Sequence, residues 1–277
     1  MQRKSVFQQK ILAWYRKHAR HNLPWRRTRN PYRILVSEIM LQQTQVPRVV
    51  EKYKEFLKIF PTIRALAGAP PKEVLRVWKG LGYNRRALYL RRTADIIERE
   101  HKGVVPRSIA ELEDLPGIGK YTARAILVFA WDQREVFIET NIRRVYLKYF
   151  FDGRDDVTDR ELLPIIERTL PEKDYRAWYF ALMDYGSSAL KGEENPNHRS
   201  KHYVRQARFE GSRRYVRAVL LDSAVKSKKG ITISSIQKLS THDKYVRERA
   251  KEIPSILHDM QKDGLLEFYH NRWRVVS

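Results

Sequence analysis

The 277-residue sequence contains no cysteine. That absence excludes disulfides, thiolate-bound zinc and iron–sulfur clusters held by thiolates. No apolar run approaches the roughly 20 residues of a membrane-spanning helix. Residues 1–25, "MQRKSVFQQKILAWYRKHARHNLPW", lack the apolar core of a secretory signal. The expectation is a cytoplasmic, nucleoid-associated protein with no membrane partner. Internal repeats and low-complexity tracts are missing as well. Acidic residues are scarce beside basic ones: 32 Asp and Glu face 55 Lys and Arg, a formal charge of +23 at pH 7. Such an excess says little about fold but favours a polyanionic partner, most simply nucleic acid. With 42% apolar residues, the chain can bury one large core or two smaller ones.

Helical periodicity dominates what is present. Phe7, Ile11, Leu12 and Tyr15 share a helix face, and Pro31 opens a helix expected to run to about Gln45. Val49, Tyr53, Phe56 and Leu57 mark another helix, stopped at Pro61. Ser108 and Glu111 have capping-box spacing. About ten helices are expected before Gly186. A polar, basic stretch follows, which reads as a linker or an arm lying on a partner. After it, "SRRYVRAVLLDSAVKS" reads as a helix and "ITISSIQKL" as a short strand entering a helix. "DKYVRERAKEIPSILHDMQKDG" reads as one helix interrupted or kinked at Pro254, and "LLEFYHNRWRVV" as a hairpin turning at His270-Asn271. Three helices and a terminal hairpin suggest a winged helix over 211–277.

"LPGIGKYTARAIL" (115–127) joins two helices through a Gly-x-Gly turn. Glycines permit positive φ and a close backbone approach to a ligand. A phosphate at the start of the second helix would meet backbone N–H donors and the positive end of the helix dipole. Gly117, Gly119 and Lys120 are therefore candidate DNA-binding residues in a helix-hairpin-helix element.

"LPWR" (23–26), "PYRILVSEIMLQQTQV" (31–46), "GLGY" (80–83), the hairpin, "NIRRV" (141–145) and "ALMDYG" (181–186) occur in an order and spacing that resembles the helix-hairpin-helix (HhH-GPD) DNA glycosylase superfamily. The MutY-type adenine glycosylase branch is the most similar. The resemblance covers about Leu23 to Gly186. It implies a mainly α, two-lobed fold: a glycosylase domain over 1–210, with a six-helix lobe at about 28–132 and a second lobe from 1–27 and 133–210, followed by the small winged-helix-like module. It also implies a protein that acts as a monomer on double-stranded DNA carrying a mismatch or lesion, and allows a monovalent cation at the hairpin turn.

Breaking an N-glycosidic bond to a purine needs an acid near the base and negative charge near the sugar, on a base flipped from the stack. On composition alone Glu38 reads as a solvent-facing glutamate. The resemblance instead gives it the position of the acid that protonates adenine, and its apolar neighbours would raise its pKa. Glu139 stands where the family carries an aspartate that stabilises the sugar cation; Asn141 matches the residue that helps hold the catalytic water. Tyr121 stands where bifunctional lyases carry a nucleophilic lysine, and Lys120 is about 100° away around the helix. A Schiff base requires an amine, so the resemblance implies a monofunctional enzyme.

By the same resemblance Trp25, Arg26 and Phe180 belong to the base pocket. Gln42, Gln43 and Thr44 wedge beside the flipped base, and Tyr83 intercalates near its partner. The arm residues Arg199, Lys201, Arg205 and Arg208, with Arg213 and Arg214, are expected on phosphates. Three features depart from the pattern. Phe180 replaces a residue that reads the adenine edge, and a phenyl ring cannot hydrogen-bond. The cysteine-bound cluster after "MDYG" has no ligands here. A winged-helix-like segment replaces the domain that recognises 8-oxoguanine. Three readings follow: an adenine glycosylase acting on a mispair, a thymine or uracil glycosylase acting opposite guanine, and a DNA-binding protein without catalysis.

Overall fold

The computed structural model describes residues 2–191, 195–203 and 208–276. It is mainly helical. Contacts divide the chain into two units, Met1–Glu38 with Pro106–Arg205, and Ile39–Val105 with Gln206–Ser277. These boundaries differ from the lobes expected at 28, 132 and 210, because helix α2 (Pro31–Leu41) passes from one unit to the other.

The first unit contains α1 (Gln2–His18), the start of α2, and α7 (Ile109–Glu113), α8 (Lys120–Trp131), α9 (Thr140–Phe150), α10 (Asp159–Arg168) and α11 (Tyr175–Asp184). Its core gathers around Phe7, whose ring meets Phe150 at 5.0 Å, Tyr146 at 5.5 Å and Trp178 at 5.8 Å. Edge-on contacts of this kind suit the ring quadrupole and pin α1 to α9 and α11. Helix α10 begins with a capping box, Thr158 and Glu161, satisfying two N-terminal donors. The box expected at Ser108 does not form: Ser108 precedes α7 without a side-chain cap.

The second unit holds the end of α2, then α3 (Val46–Ile59), α4 (Ile63–Ala67), α5 (Pro71–Trp78) and α6 (Arg85–Glu100). Its core includes the fully buried Phe56 and Trp78. Burying a ring such as Phe56 contributes about 2–3 kcal/mol. The C-terminal module belongs to this unit. It runs α12 (Arg213–Lys226), α13 (Ile233–His242), α14 (Lys244–Glu248), α15 (Ile253–Lys262), then a hairpin of β1 (Leu266–Tyr269) and β2 (Arg272–Val275). The strands pair antiparallel, Leu266 opposite Val275 and Tyr269 opposite Arg272. Positive φ at His270 (47°) and Asn271 (56°) gives the two-residue turn that matches strand twist.

One expectation is corrected here and one is resolved. The strand at "ITIS" reduces to one antiparallel bridge, Ile231 with Trp273. The helix expected over Pro254 is interrupted rather than kinked, and Pro254 itself is not in the break. It sits in the first turn of α15, where its missing N–H costs nothing, and α14 is separated from it by a 3-10 turn at Ala250–Glu252. Among the described residues no helix is long and apolar enough to cross a membrane.

Candidate active site

Helix α2 ends at Leu41 rather than near Gln45. Gln43 takes a left-handed φ of 53°, so the amides of Gln42 and Gln43 lie in the turn beyond the helix. Buried Arg86 fixes this end. Its guanidinium donates to the carbonyls of Ile39 (2.8 Å), Met40 (3.1 Å) and Gln42 (2.5 Å), to Thr44 Oγ1 (3.0 Å), and to the carbonyls of Leu81 and Gly82. These are the acceptors a helix C-terminus leaves unpaired. Burial lowers the Arg86 pKa to about 10, so it stays charged at neutral pH. The same bonds hold the glycine-rich loop that carries Tyr83, whose φ is 47° and whose ring is 38% exposed.

Glu38 is buried, 5% exposed, near the middle of α2. Burial is the main reason its carboxyl rises to about 7; nearby Glu139 raises it further, and a hydrogen bond from Tyr121 opposes both. That bond runs from the Tyr121 hydroxyl to Glu38 Oε2 at 3.2 Å. Tyr121 lies on the first turn of α8. Burial, then the charges of Glu38 and Glu139, push its hydroxyl well above the usual phenol range, so it stays protonated and keeps a proton to donate to the carboxylate.

Glu139 is the N-cap of α9. Its Oε1 accepts from the backbone N–H of Asn141 and of Ile142, both at 2.8 Å, and its Oε2 accepts from Asn141 Nδ2 at 3.2 Å. Burial raises its pKa, while these bonds and Arg143 pull the other way. The extra methylene of glutamate is thus taken up by reaching around the helix start. Gly186 lies against the same helix turn: a Cβ there would stand 2.2 Å from the Asn141 carbonyl oxygen.

The structure gathers Glu38, Tyr121, Glu139 and Asn141 in one place. Arg26 and Phe180 meet in another, a cavity of about 220 Å³ also lined by Tyr15, His21, Arg29 and Arg176. Phe180 is not an open stacking face. Phe129 lies parallel to it at 4.6 Å, and the guanidiniums of Arg26 and Arg176 stand 4.4 Å and 5.3 Å from its centroid. Ring contacts link the two places, Tyr121 to Phe137 (5.5 Å), Phe137 to Phe129 (6.2 Å), and Phe129 to Phe180. Trp25 is buried, and its carbonyl accepts from Arg176 Nη2.

Sequence reasoning gave no role to Asp184, fully buried at the end of α11. It accepts two hydrogen bonds from Arg26 (2.6 and 2.8 Å) and two from Arg20, through its backbone N–H and its Nε. Burial pushes its carboxyl up, but the arginines overcome that and hold it below the usual range. The signal was available: Arg176, Phe180 and Asp184 recur every four residues, hence on one helix face.

At the hairpin, Gly117 takes a φ of 79°, and exposed Gly119 and Lys120 begin α8 with no side-chain cap. The segment after Gly186 has neither the cysteines to hold a cluster nor the character of a bare linker. Arg144 donates to Asn195 Oδ1 (3.0 and 2.9 Å) and to the Gly186 carbonyl (3.0 Å), while Val157 and Ser200 form a parallel bridge. Among the described residues no group of three or more His, Asp or Glu could hold a metal ion. Of the arm cations, Arg199 is half-buried on Asp152 (2.9 Å), Arg208 pairs with Glu210 (2.5 Å), and Lys201 is exposed. Arg213 pairs with Asp259, and Arg214 donates to the Tyr83 hydroxyl. Arg205 lies outside the described residues.

A sequence profile described as HhH-GPD superfamily base excision DNA repair protein matches residues 36–171. An adenine DNA glycosylase of Mycolicibacterium smegmatis is 36% identical over 281 residues, covering 95% of this chain and 93% of that one. That alignment takes in most of the C-terminal module. An adenine DNA glycosylase of Buchnera aphidicola subsp. Baizongia pistaciae is 40% identical over 183 residues, 66% of this chain but 52% of the relative. The chain thus spans about half the length of the Buchnera relative. A solved thermostable thymine-DNA glycosylase shares the fold with a TM-score of 0.62 and 27% identity over 70% of this chain and 91% of that one.

Proposed function

The chain belongs to the HhH-GPD superfamily of base excision DNA repair proteins, and on that premise we propose that it is a monofunctional adenine DNA glycosylase acting on mispaired adenine in duplex DNA. The observation that carries this reading is the buried Glu38 carboxyl, raised to about 7 and hydrogen-bonded by Tyr121. A carboxyl with that pKa is largely neutral near pH 7 and acts as a general acid. Glu38 delivers its proton to the flipped purine as the N-glycosidic bond breaks. The base departs with the bonding pair, and the sugar becomes an oxocarbenium ion. Glu139, held at the start of α9, supplies the facing negative charge. Water adds at C1′ and gives up its proton to carboxylate, which restores the acid–base pair.

Tyr121 supplies no amine for a Schiff base, so the product is an intact strand with an abasic site. The open start of α8 at Gly119 and Lys120 suits a backbone phosphate. The protein acts as a monomer and in the cytoplasm on this reading. A second reading, excision of thymine or uracil opposite guanine, draws on Phe180, whose ring presents no acceptor for the adenine amino group, and on the similarity to the thymine-DNA glycosylase.

Duplexes carrying A:G, A:8-oxoguanine, T:G or U:G, incubated with the protein and then treated with alkali, separate these outcomes. Cleavage only at adenine is expected. Cleavage only at thymine or uracil moves the assignment to the second reading. No cleavage of any duplex overturns both. Strand breaks without alkali, trapped by borohydride, overturn the monofunctional assignment.

A further inference from the structure

We propose that the C-terminal hairpin, Leu266–Val275, is a second DNA-binding element that grips duplex DNA; this rests on the reading of the chain as a DNA glycosylase. The hairpin is amphipathic in an unusual sense. Leu266 and Val275 at its base face the core, and the next pair on that face, Phe268 and Trp273, continues outward with rings 4.8 Å apart. Phe268 is 49% exposed. The opposite face carries Tyr269, 52% exposed, with Arg272 across the ladder and the Arg274 guanidinium 4.3 Å from its ring centroid; Arg274 also pairs with Glu267 across the ladder at 2.7 Å. Aromatic rings interleaved with arginines suit sugars, exposed bases and phosphates at once. The chain's formal +23 charge makes a polyanion the complementary occupant.

The helix before the hairpin is not free for that task. Asp259 of α15 and Asp263 after it are engaged inward by Arg213 (2.7 Å), Arg217 and Arg85 (3.0 Å). The module is also held to its own unit by Lys79 on Asp222 (2.7 Å), Lys72 on the Ser227 carbonyl (2.5 Å) and Arg214 on the Tyr83 hydroxyl (3.0 Å). The hairpin is therefore set at a fixed place relative to the Tyr83 loop. Its two-residue turn keeps it narrow enough for a groove, which admits a two-stranded ribbon.

The test compares two double variants of the full chain, Phe268→Ala with Tyr269→Ala and Arg272→Ala with Arg274→Ala, on a long duplex with a central mispair. The aromatic pair is expected to weaken binding roughly tenfold with little change in salt dependence. The arginine pair is expected to flatten the slope of log affinity against log salt by about 1, because Arg274 is already paired with Glu267. Both should keep the wild-type single-turnover rate at saturating enzyme and the wild-type melting temperature. Wild-type affinity and salt slope in both variants would overturn the hairpin's role and give that face to another partner. A wild-type protein that binds no DNA would overturn the glycosylase reading itself, and the hairpin's role with it.

Discussion

The hydroxyl of Tyr121 donates to Glu38 Oε2 at 3.2 Å, and this bond joins the middle of α2 to the first turn of α8. The bond favours the ionised carboxylate, against burial and the charge of Glu139. A proton donor must be protonated to act, so the single-turnover excision rate should fall as pH rises through about 7, approaching tenfold per pH unit, and fall again at low pH as Glu139, whose pKa burial raises, takes up a proton. Tyr121→Phe removes the opposing bond. The fall should then move to higher pH, read from a rate profile between pH 5 and 9. An unmoved profile would show that the rate does not report on Glu38. Glu38→Gln should lower the rate by about 100-fold or more below pH 7 and abolish the high-pH fall, so that the two proteins converge towards high pH.

The same carboxyl should burden the fold. Its folded pKa, about 7, lies above the unfolded value near 4.5. Between those values the native state binds more protons than the unfolded state. Stability is therefore lost as pH rises from 4.5 towards 7 and stays low above it. Glu38→Gln removes that titration. The variant should melt at a higher temperature than wild type at pH 8, and the gain should shrink towards pH 4.5. Active sites commonly hold groups whose neutral replacement stabilises the protein. Melting curves of both proteins across this range check the sign.

Glu139 has two duties that substitution can separate. As an N-cap it satisfies the backbone N–H groups of Asn141 and Ile142. In the proposed mechanism it is also the charge that faces the forming sugar cation. Glutamine keeps an acceptor oxygen for those N–H groups and loses the charge. Glu139→Gln should retain nearly all stability while the excision rate falls by two or more orders of magnitude. Glu139→Ala should also lose about 1 kcal/mol of stability, the usual cost of an absent cap. Denaturant unfolding and single-turnover assays on both variants distinguish the two duties. A full-rate Glu139→Gln enzyme would remove the residue from the chemistry.

Much of this arrangement was legible before the structure, for a physical reason. Helix periods, prolines and glycine turns are local signals. They placed α8, α9 and the Gly-x-Gly turn, and the two-residue turn at His270-Asn271 fixed the terminal hairpin. Burial is not local. Glu38 reads as solvent-facing by composition, and only tertiary packing makes it an acid. Arg86, Asp184 and Arg144 escaped because their partners are backbone carbonyls or side chains far along the chain, such as Ile39 for Arg86 and Arg26 for Asp184. Phe180 was read as part of the base pocket. The stacked Phe129 and two guanidiniums enclose it, and no spacing rule announces that.

Gly186 shows how tightly the site is backed. It ends the "MDYG" stretch and lies against the turn of α9 that presents Glu139 and Asn141. An added Cβ would stand 2.2 Å from the Asn141 oxygen, 2.8 Å from its carbonyl carbon and 3.0 Å from its Cα. All three are backbone atoms, so no rotamer change relieves the clash, and the helix start or the Gly186 segment must move. The Arg144 bond to the Gly186 carbonyl would be strained with it. Gly186→Ala should therefore cost about 2–3 kcal/mol, in the range of overpacked core substitutions, and lower the excision rate more than its effect on DNA affinity explains. Displacing Asn141 by even 1 Å misplaces the water and the carboxylate, which can cost about 100-fold. Gly68→Ala is the control, because a Cβ there would meet only the Arg64 carbonyl oxygen, at an ordinary 3.5 Å, and its φ of −77° is not in the left-handed region. It should keep stability and excision rate near wild type. Equal losses in the two variants would mean that the close approach to Asn141 is not what requires glycine at position 186.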